Sequence, residues 1–180
     1  MNPLPIITKL NRKDYNLYKY FLKDCLEYSH MSNMFYSNLP CSYDEESFYN
    51  WLQTDNIYIC QRNHKNIGFI VFDTSETLNR LSIFVHPKVC KLAIIGIARA
   101  ATIVAYYKLH DILETSFLFS TVHTLVYTIF QNIFSAATLK HGDIVIQSVS
   151  IDTAKFEAYI EKNYEQDEIE QYLHVLSTLE

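Results

Sequence analysis

The stretch Val85–Ala105, VHPKVCKLAIIGIARAATIVA, joins a strand pattern directly to a helix pattern. The β-branched and aromatic residues of RLSIFVHP, which lead into it, are typical of a strand. From about residue 89 to about residue 109 the chain is apolar nearly all round, which predicts a long helix buried on most sides. A turn that holds a phosphate through backbone amides is usually rich in glycine, whereas this join carries cysteine, lysine, leucine and alanine. The stretch therefore predicts a strand–turn–helix unit and leaves phosphate binding open.

The composition indicates one globular domain with a sizeable core. The chain has 180 residues, of which 49% are hydrophobic and 19% are charged, a balance that argues against disorder. The formal net charge of -5 argues against nucleic-acid partners, because sequence-independent binding requires a basic surface. The 4 cysteines form no CxxC pair and no cluster with histidine at zinc-like spacing. We therefore expect no metal site and a reducing, cytoplasmic compartment.

The sequence also argues against a membrane location. The opening segment, MNPLPIITKLNRKDY, has no basic stretch followed by an apolar one, so we expect no signal peptide. The longest apolar stretch, Leu92–Tyr107, contains Arg99 at its centre. It is shorter than the ~20 residues that span a bilayer, so it is interpreted as a buried helix.

The periodicity of the chain predicts the element order β-α-α-β-β-β-α-β-α-β-β. The first helix lies in NRKDYNLYKYFLKDCLEYSH, and a capping box formed by Ser42 and Glu45 opens the second. Two β-rich runs flank a polar turn over residues 63–66, and RLSIFVHP adds a third strand to this meander. After residue 152 the chain becomes polar with helical spacing of its apolar residues. We expect a domain over residues 1–152 and a helical extension over 153–180 that packs on the domain or on a partner.

This order resembles the GNAT (GCN5-related N-acetyltransferase) fold over about residues 5–151. The segments that carry the resemblance are IITKLNRKDYNLYKYFLKD, NIYICQRNHKNIGFIVF and FVHPKV, which look like the family's first strand and helix, its second and third strands, and the end of its fourth strand. The resemblance implies an α/β (α+β) protein with a mixed, mostly antiparallel central sheet and helices on both faces. It also implies acetyl-CoA as the cofactor of a functional member.

In the family, the turn after Val-x-Pro reads Arg/Gln-x-x-Gly-x-Gly/Ala and binds the pyrophosphate of CoA through backbone N–H groups. The aligned positions here are Cys90, Ala93 and Ile95, so the basic residue and both glycines are replaced. A shift by one residue aligns Lys91, Ile94 and Gly96, which is also a poor match. The residues that the resemblance places at a cofactor site are Val85, Pro87, Lys91 and Gly96.

Two residues are candidates for catalysis. The resemblance places Tyr127 where the family has a tyrosine that protonates the departing thiolate, although any of the 14 tyrosines can instead be a core residue. The segment RLSIFVHP contains no Asp or Glu, so His86 is the residue there whose ordinary pKa suits a general base. A lone histidine beside a proline is more often structural.

Two functions remain open. The first is a GNAT-fold protein that has lost acetyl transfer and serves as an interaction or structural component, with a protein partner or a second copy of itself. The usage of Asn, Ile, Lys and Tyr indicates an AT-rich genome, such as that of a phage, and extends this hypothesis to a virion-associated role. The second is a CoA-dependent N-acetyltransferase with a divergent pyrophosphate turn and an amine substrate that the sequence does not identify.

Overall fold

The structure is a computed structural model that describes residues 4–31, 56–74, 79–109, 116–121, 137–141, 144–150 and 153–180. The helices predicted at 43–53 and 123–131 lie outside these ranges. Within them, the helices and strands occur in the predicted order. They are β1 (Ile6–Lys9), a 3₁₀ turn (Arg12–Asp14), α1 (Tyr15–Met31), β2 (Asn56–Arg62), β3 (Lys65–Thr74), β4 (Asn79–Val85), α2 (Lys91–Leu109), β5 (Ser116–Thr121), β6 (Ala137–His141), β7 (Ile144–Ser150), α3 (Thr153–Asn163) and α4 (Gln166–Leu179).

The hairpin between β2 and β3 is tighter than the sequence predicted. A polar turn was predicted over residues 63–66, but Lys65 and Asn66 belong to β3 and only Asn63 and His64 connect the strands. Their φ angles are 51° and 60°. A two-residue turn with positive φ at both positions matches the right-handed twist of the flanking strands. Asn and His are among the residues that tolerate this conformation.

Seven strands form one sheet in the order β1-β2-β3-β4-β5-β7-β6. Every neighbouring pair is antiparallel except β4 and β5, which are parallel. The predicted mixed, mostly antiparallel sheet is therefore confirmed, as is the meander now seen as β2, β3 and β4. A parallel pair needs a crossover connection, which the segment containing α2 supplies.

Helices cover both faces of the sheet, as predicted. Successive strand residues point to opposite faces, so each strand contributes to two hydrophobic clusters. On one face α1 buries Leu22, Cys25 and Leu26 against strand residues that include Phe69 and Phe84. On the other face α2 packs on residues of β2, β3 and β4, namely Tyr58, Cys60, Ile67, Ile70, Phe72, Leu81, Ile83 and Val85. Among the described helices, none combines the length and the apolarity needed to cross a bilayer.

The C-terminal helices α3 and α4 pack on α2 and the same face of the sheet. Their buried side chains, which belong to the cluster around α2, are Phe156, Ile160, Tyr164, Ile169, Tyr172 and Leu176. Polar contacts also link α2 to this region: the Arg99 guanidinium lies 2.8 Å from the Glu168 carboxylate, and the Tyr164 hydroxyl donates to the Arg99 carbonyl at 3.1 Å. Residues 153–180 thus contribute to this chain's own core, and the division of the chain at residue 152 stays a prediction.

Candidate functional site

The site that the sequence singled out lies where β4 leads into α2. The parallel pairing of β4 with β5 ends at Ile83 and Thr121, whereas β4 itself continues to Val85. The chain then turns through residues 86–90 and enters α2 at Lys91. The end of β4 and the N-terminus of α2 therefore meet beyond the last paired residue of β5.

Backbone hydrogen bonds define the turn. The His86 N–H donates to the Ile67 carbonyl at 3.0 Å, which extends the contact between β3 and β4 by one residue. The Val89 N–H donates to the His86 carbonyl at 3.3 Å. The Ala93 and Ile94 N–H groups both donate to the Cys90 carbonyl, at 3.0 and 3.2 Å. The amides of Ala93 and Ile94 are therefore used inside the first turn of α2.

The N-terminus of α2 retains some features that attract an anion. The first turn contains no acidic residue, and Lys91 is exposed at its start. A helix N-terminus carries partial positive charge and amides that have no partner within the helix. At the aligned glycine positions, however, Ala93 is buried and Ile95 is half-buried. Gly96 is buried in the second turn, so its N–H lies beyond the amides that a helix N-terminus offers to an anion.

His86 is positioned by α1. Its Nε2 lies 3.6 Å from the Asp24 carboxylate, and its ring stacks on Phe21 with centroids 5.6 Å apart. Its Nδ1 accepts the Lys88 N–H at 3.3 Å. Each ring nitrogen therefore faces a group of the protein, an arrangement that orients the imidazole.

Val85 and Pro87 differ in exposure. Val85 is buried and pairs with Gly68 of β3, while Pro87 is exposed in the turn. A β-carbon at Gly68 would lie 2.3 Å from the Phe84 carbonyl oxygen and 2.8 Å from Cδ1 of Ile97 on α2. The glycine therefore allows β3, β4 and α2 to approach closely beside the turn. In the sequence, Gly68 stands only within NIYICQRNHKNIGFIVF, the segment that resembles the family's second and third strands, and that resemblance was the only signal for it.

Other chemistries have little support. Cys25 and Cys60 are buried, and burial is the main reason that the pKa of each thiol is raised well above its ordinary value of 9.0. Both thiols therefore stay protonated, which makes them poor nucleophiles. No group of three or more His, Cys, Asp or Glu side chains that could hold a metal ion occurs in the described ranges. Tyr127 lies outside those ranges.

Solved structures identify the architecture. The N-acetyltransferase from Staphylococcus aureus aligns with a TM-score of 0.55 at 15% identity, covering 84% of this chain and 99% of that one. The PaiA N-acetyltransferase from Thermoplasma acidophilum, described in complex with coenzyme A, gives 0.54 at 16% identity, covering 81% and 98%. The chain has the GNAT fold. Spermidine N-acetyltransferase from Vibrio cholerae, described in complex with CoA and spermine, gives 0.54 at 13% identity, covering 84% and 97%.

Comparisons of the sequence with known families and curated proteins find no match. No family model matches the chain, and no curated protein sequence matches it either. At identities of 16% or less the likeness concerns the arrangement of strands and helices. Activity is a property of the site rather than of the GNAT fold.

Proposed function

We propose that this GNAT-fold chain does not transfer acetyl groups and that it acts by binding another protein. The observation that carries the proposal is the start of α2. Cys90, Ala93 and Ile95 occupy the positions that the resemblance assigns to a basic residue and two glycines. The Ala93 amide is directed to the Cys90 carbonyl, and its methyl group is buried. A pyrophosphate at this turn would need to approach the backbone closely. It would instead contact side chains and amides that are already hydrogen-bonded within the helix.

The geometry of His86 supports the same proposal. A general base must accept a proton from its substrate within hydrogen-bond reach. The Nδ1 of His86 accepts a backbone N–H, and its Nε2 faces the Asp24 carboxylate. An imidazole held in this way links the turn to α1, which favours a structural role.

Calorimetric titration with acetyl-CoA tests the proposal. We expect no measurable heat of binding for the natural chain. The double variant Cys90→Arg/Ala93→Gly, which restores a basic residue and one glycine, should gain binding. In a thermal-shift experiment, a ligand at 100 times its Kd stabilises a protein by about 2.7 kcal/mol, so the gain is easily measured. Micromolar binding of acetyl-CoA to the natural chain would overturn the proposal.

A second candidate is a CoA-dependent N-acetyltransferase with a divergent turn. The observation in its favour is that β4 continues past its last residue paired with β5 and leads to the N-terminus of α2. The first turn of α2 contains no acidic residue, and Lys91 at its start is exposed. Two of the similar structures are described with CoA, which makes acetyl-CoA the cofactor to test.

In this case Tyr127 is the proposed general acid. Tyr127→Phe should then lower kcat and leave acetyl-CoA affinity unchanged. An unchanged kcat would remove Tyr127 from the mechanism.

The nature of the partner extends the first proposal. The hypothesis of a homo-oligomer or a phage structural component rests on the sequence alone. Light scattering on the purified chain distinguishes a monomer, which needs a different protein as its partner, from a self-assembling component. A mass equal to that of one chain at high protein concentration would contradict the homo-oligomer.

A further inference from the structure

The ring of His86, at the start of the turn after β4, accepts a hydrogen bond from the backbone of that turn. The Lys88 N–H donates to the His86 Nδ1 at 3.3 Å. A backbone N–H can donate only to a ring nitrogen that carries no hydrogen. A neutral imidazole has one such nitrogen and an imidazolium has none. The bond therefore requires a neutral His86 ring whose hydrogen is on Nε2.

The surroundings of Nε2 fit this assignment. Nε2 lies 3.6 Å from the Asp24 carboxylate on α1, an acceptor toward which an Nε2–H can point. If the ring were turned over, it would present Cδ2–H to the Lys88 amide and Cε1–H to Asp24, and both polar contacts would be lost. The two contacts thus fix the orientation of the ring and the position of its hydrogen.

The ring is held more firmly than the turn that bonds to it. The His86 N–H donates to the Ile67 carbonyl at 3.0 Å, so the backbone of His86 continues the sheet. Its side chain is 18% exposed, and its ring stacks on Phe21 of α1 with an angle of 13° between the planes. Pro87 and Lys88, by contrast, are exposed. A change at Nδ1 should therefore displace the turn rather than the ring.

The charged groups around the ring act on different parts of such a change. Asp24 on α1 attracts an imidazolium and holds it in place. Lys88 and Lys91 are exposed, the first turn of α2 contains no acidic residue, and a helix N-terminus itself carries partial positive charge. β3 contributes the Ile67 carbonyl, which is already bonded to the His86 backbone. A proton on His86 would therefore add positive charge beside a segment that is already positive.

We propose that His86 is a pH-sensitive latch on the turn after β4. When His86 is neutral, its Nδ1 holds the Lys88 amide and the turn lies against the ring. When the ring takes up a proton from solvent, both nitrogens become donors, so no rotation of the ring restores the bond. The Asp24 carboxylate keeps the imidazolium in place, and residues 87–89 separate from it. Histidine side chains ordinarily change charge between about pH 5 and 8, so mild acidification releases the turn.

The latch is independent of the proposed function. The turn leads into α2 whether the N-terminus of α2 contacts a protein or acetyl-CoA. The experiments below measure the turn itself, without a partner or a cofactor, so their outcome and that of the acetyl-CoA titration are separate.

Nitrogen NMR of the histidine rings at about pH 8 tests the neutral state. Such spectra distinguish a ring nitrogen that carries a hydrogen from one that does not. The variant His86→Asn identifies the His86 signals among those of the 7 histidines. We expect the neutral ring to carry its hydrogen on Nε2. A neutral ring with its hydrogen on Nδ1 would overturn the proposal.

Titration from about pH 8 to about pH 5 tests the release. The rate at which the Lys88 amide exchanges with water, corrected for its intrinsic dependence on pH, should rise about fivefold with the same midpoint as the titration of the His86 ring. Circular dichroism confirms that the protein stays folded at each pH. An unchanged Lys88 amide, or a His86 ring that stays neutral across the range, would contradict the latch.

Matched variants separate the titration from the shape of the turn. In His86→Asn the side-chain oxygen can still accept the N–H two residues on, as in an Asx-turn, but it does not titrate, so the Lys88 amide should stay protected at every pH. His86→Ala removes the acceptor and should expose the amide at every pH. Asp24→Asn should move the midpoint to lower pH, because it removes the charge that favours the imidazolium. Glu27→Gln, one turn further along α1, should move it less. A pH response that persists in His86→Asn, or an unchanged midpoint in Asp24→Asn, would refute the assignment.

Discussion

Replacement of Gly68 by alanine should destabilise the protein at the point where β3, β4 and α2 meet. Gly68 pairs with Val85, the last residue of β4 before the turn. A β-carbon on Gly68 would lie 2.3 Å from the Phe84 carbonyl oxygen, 2.8 Å from Cδ1 of Ile97 and 3.3 Å from the Val85 Cα. The first of these contacts is with backbone, so a side-chain rotation cannot relieve it.

The magnitude follows from two opposing terms. Insertion of a methyl group into a packed site usually costs about 1–3 kcal/mol, and a clash with backbone places this site near the upper end. Alanine also lowers the conformational entropy of the unfolded chain, which stabilises the folded protein by about 0.4–1 kcal/mol. We therefore expect Gly68→Ala to lower the free energy of unfolding by about 2 kcal/mol.

Urea unfolding followed by circular dichroism measures this change. Lys65→Ala, an exposed position on the same strand, is the control and should change stability by less than about 0.5 kcal/mol. Ile97→Val removes the Cδ1 atom and should cost less in the Gly68→Ala background than alone, because one of the clashes is relieved. A Gly68→Ala protein as stable as the natural chain would refute the close approach of β3, β4 and α2.

Two further predictions concern the core. The pKa values of Cys25 and Cys60 are raised mainly by burial, so above their ordinary value of 9.0 the unfolded chain loses protons that the folded chain keeps, and stability falls. The pKa of Lys108, lowered to about 8 by burial and by Lys9, acts in the opposite direction. Burial also raises the pKa of Tyr58, Tyr164 and Tyr172, which adds to the loss of stability; we therefore expect the free energy of unfolding to fall as the pH rises above about 9, which urea titrations at several pH values measure and a flat profile would contradict. Deletion of residues 165–180 should abolish cooperative unfolding, because burial of each apolar side chain of α4 contributes roughly 1.5–3 kcal/mol to the free energy of unfolding. A truncated chain with an unchanged thermal transition would show that α4 is dispensable.

The order of the helices and strands was available from local patterns. Alternating and continuous β-branched runs marked β2, β3 and β4, and the apolar run after Pro87 marked α2. These patterns depend on which residues lie two or four positions apart, so they can be recognised from the sequence alone. The hairpin turn was placed correctly but predicted two residues too long, because Asn63 and His64 adopt positive φ without a glycine to signal it.

The replacement of glycine in the turn after β4 was also visible in the sequence, since it depends on residue identity. The roles of individual residues were harder to predict from the sequence. His86 was a candidate base on the strength of its ordinary pKa, yet its orientation depends on Phe21 and Asp24, which are distant in sequence. The pattern around Gly68 likewise does not reveal that Ile97 approaches it.

The sequence by itself determined the succession of strands and helices and the residue types at the turn, because both follow from local spacing and side-chain chemistry. Only the tertiary structure decided that the C-terminal helices complete this chain's core, and that α4 lies beside β1. An amphipathic stripe shows that a helix must bury one face, but it does not name the surface that covers it. The contact of Tyr172 with Pro5 joins residues near opposite ends of the chain, and such a contact is fixed by the packing of the whole domain.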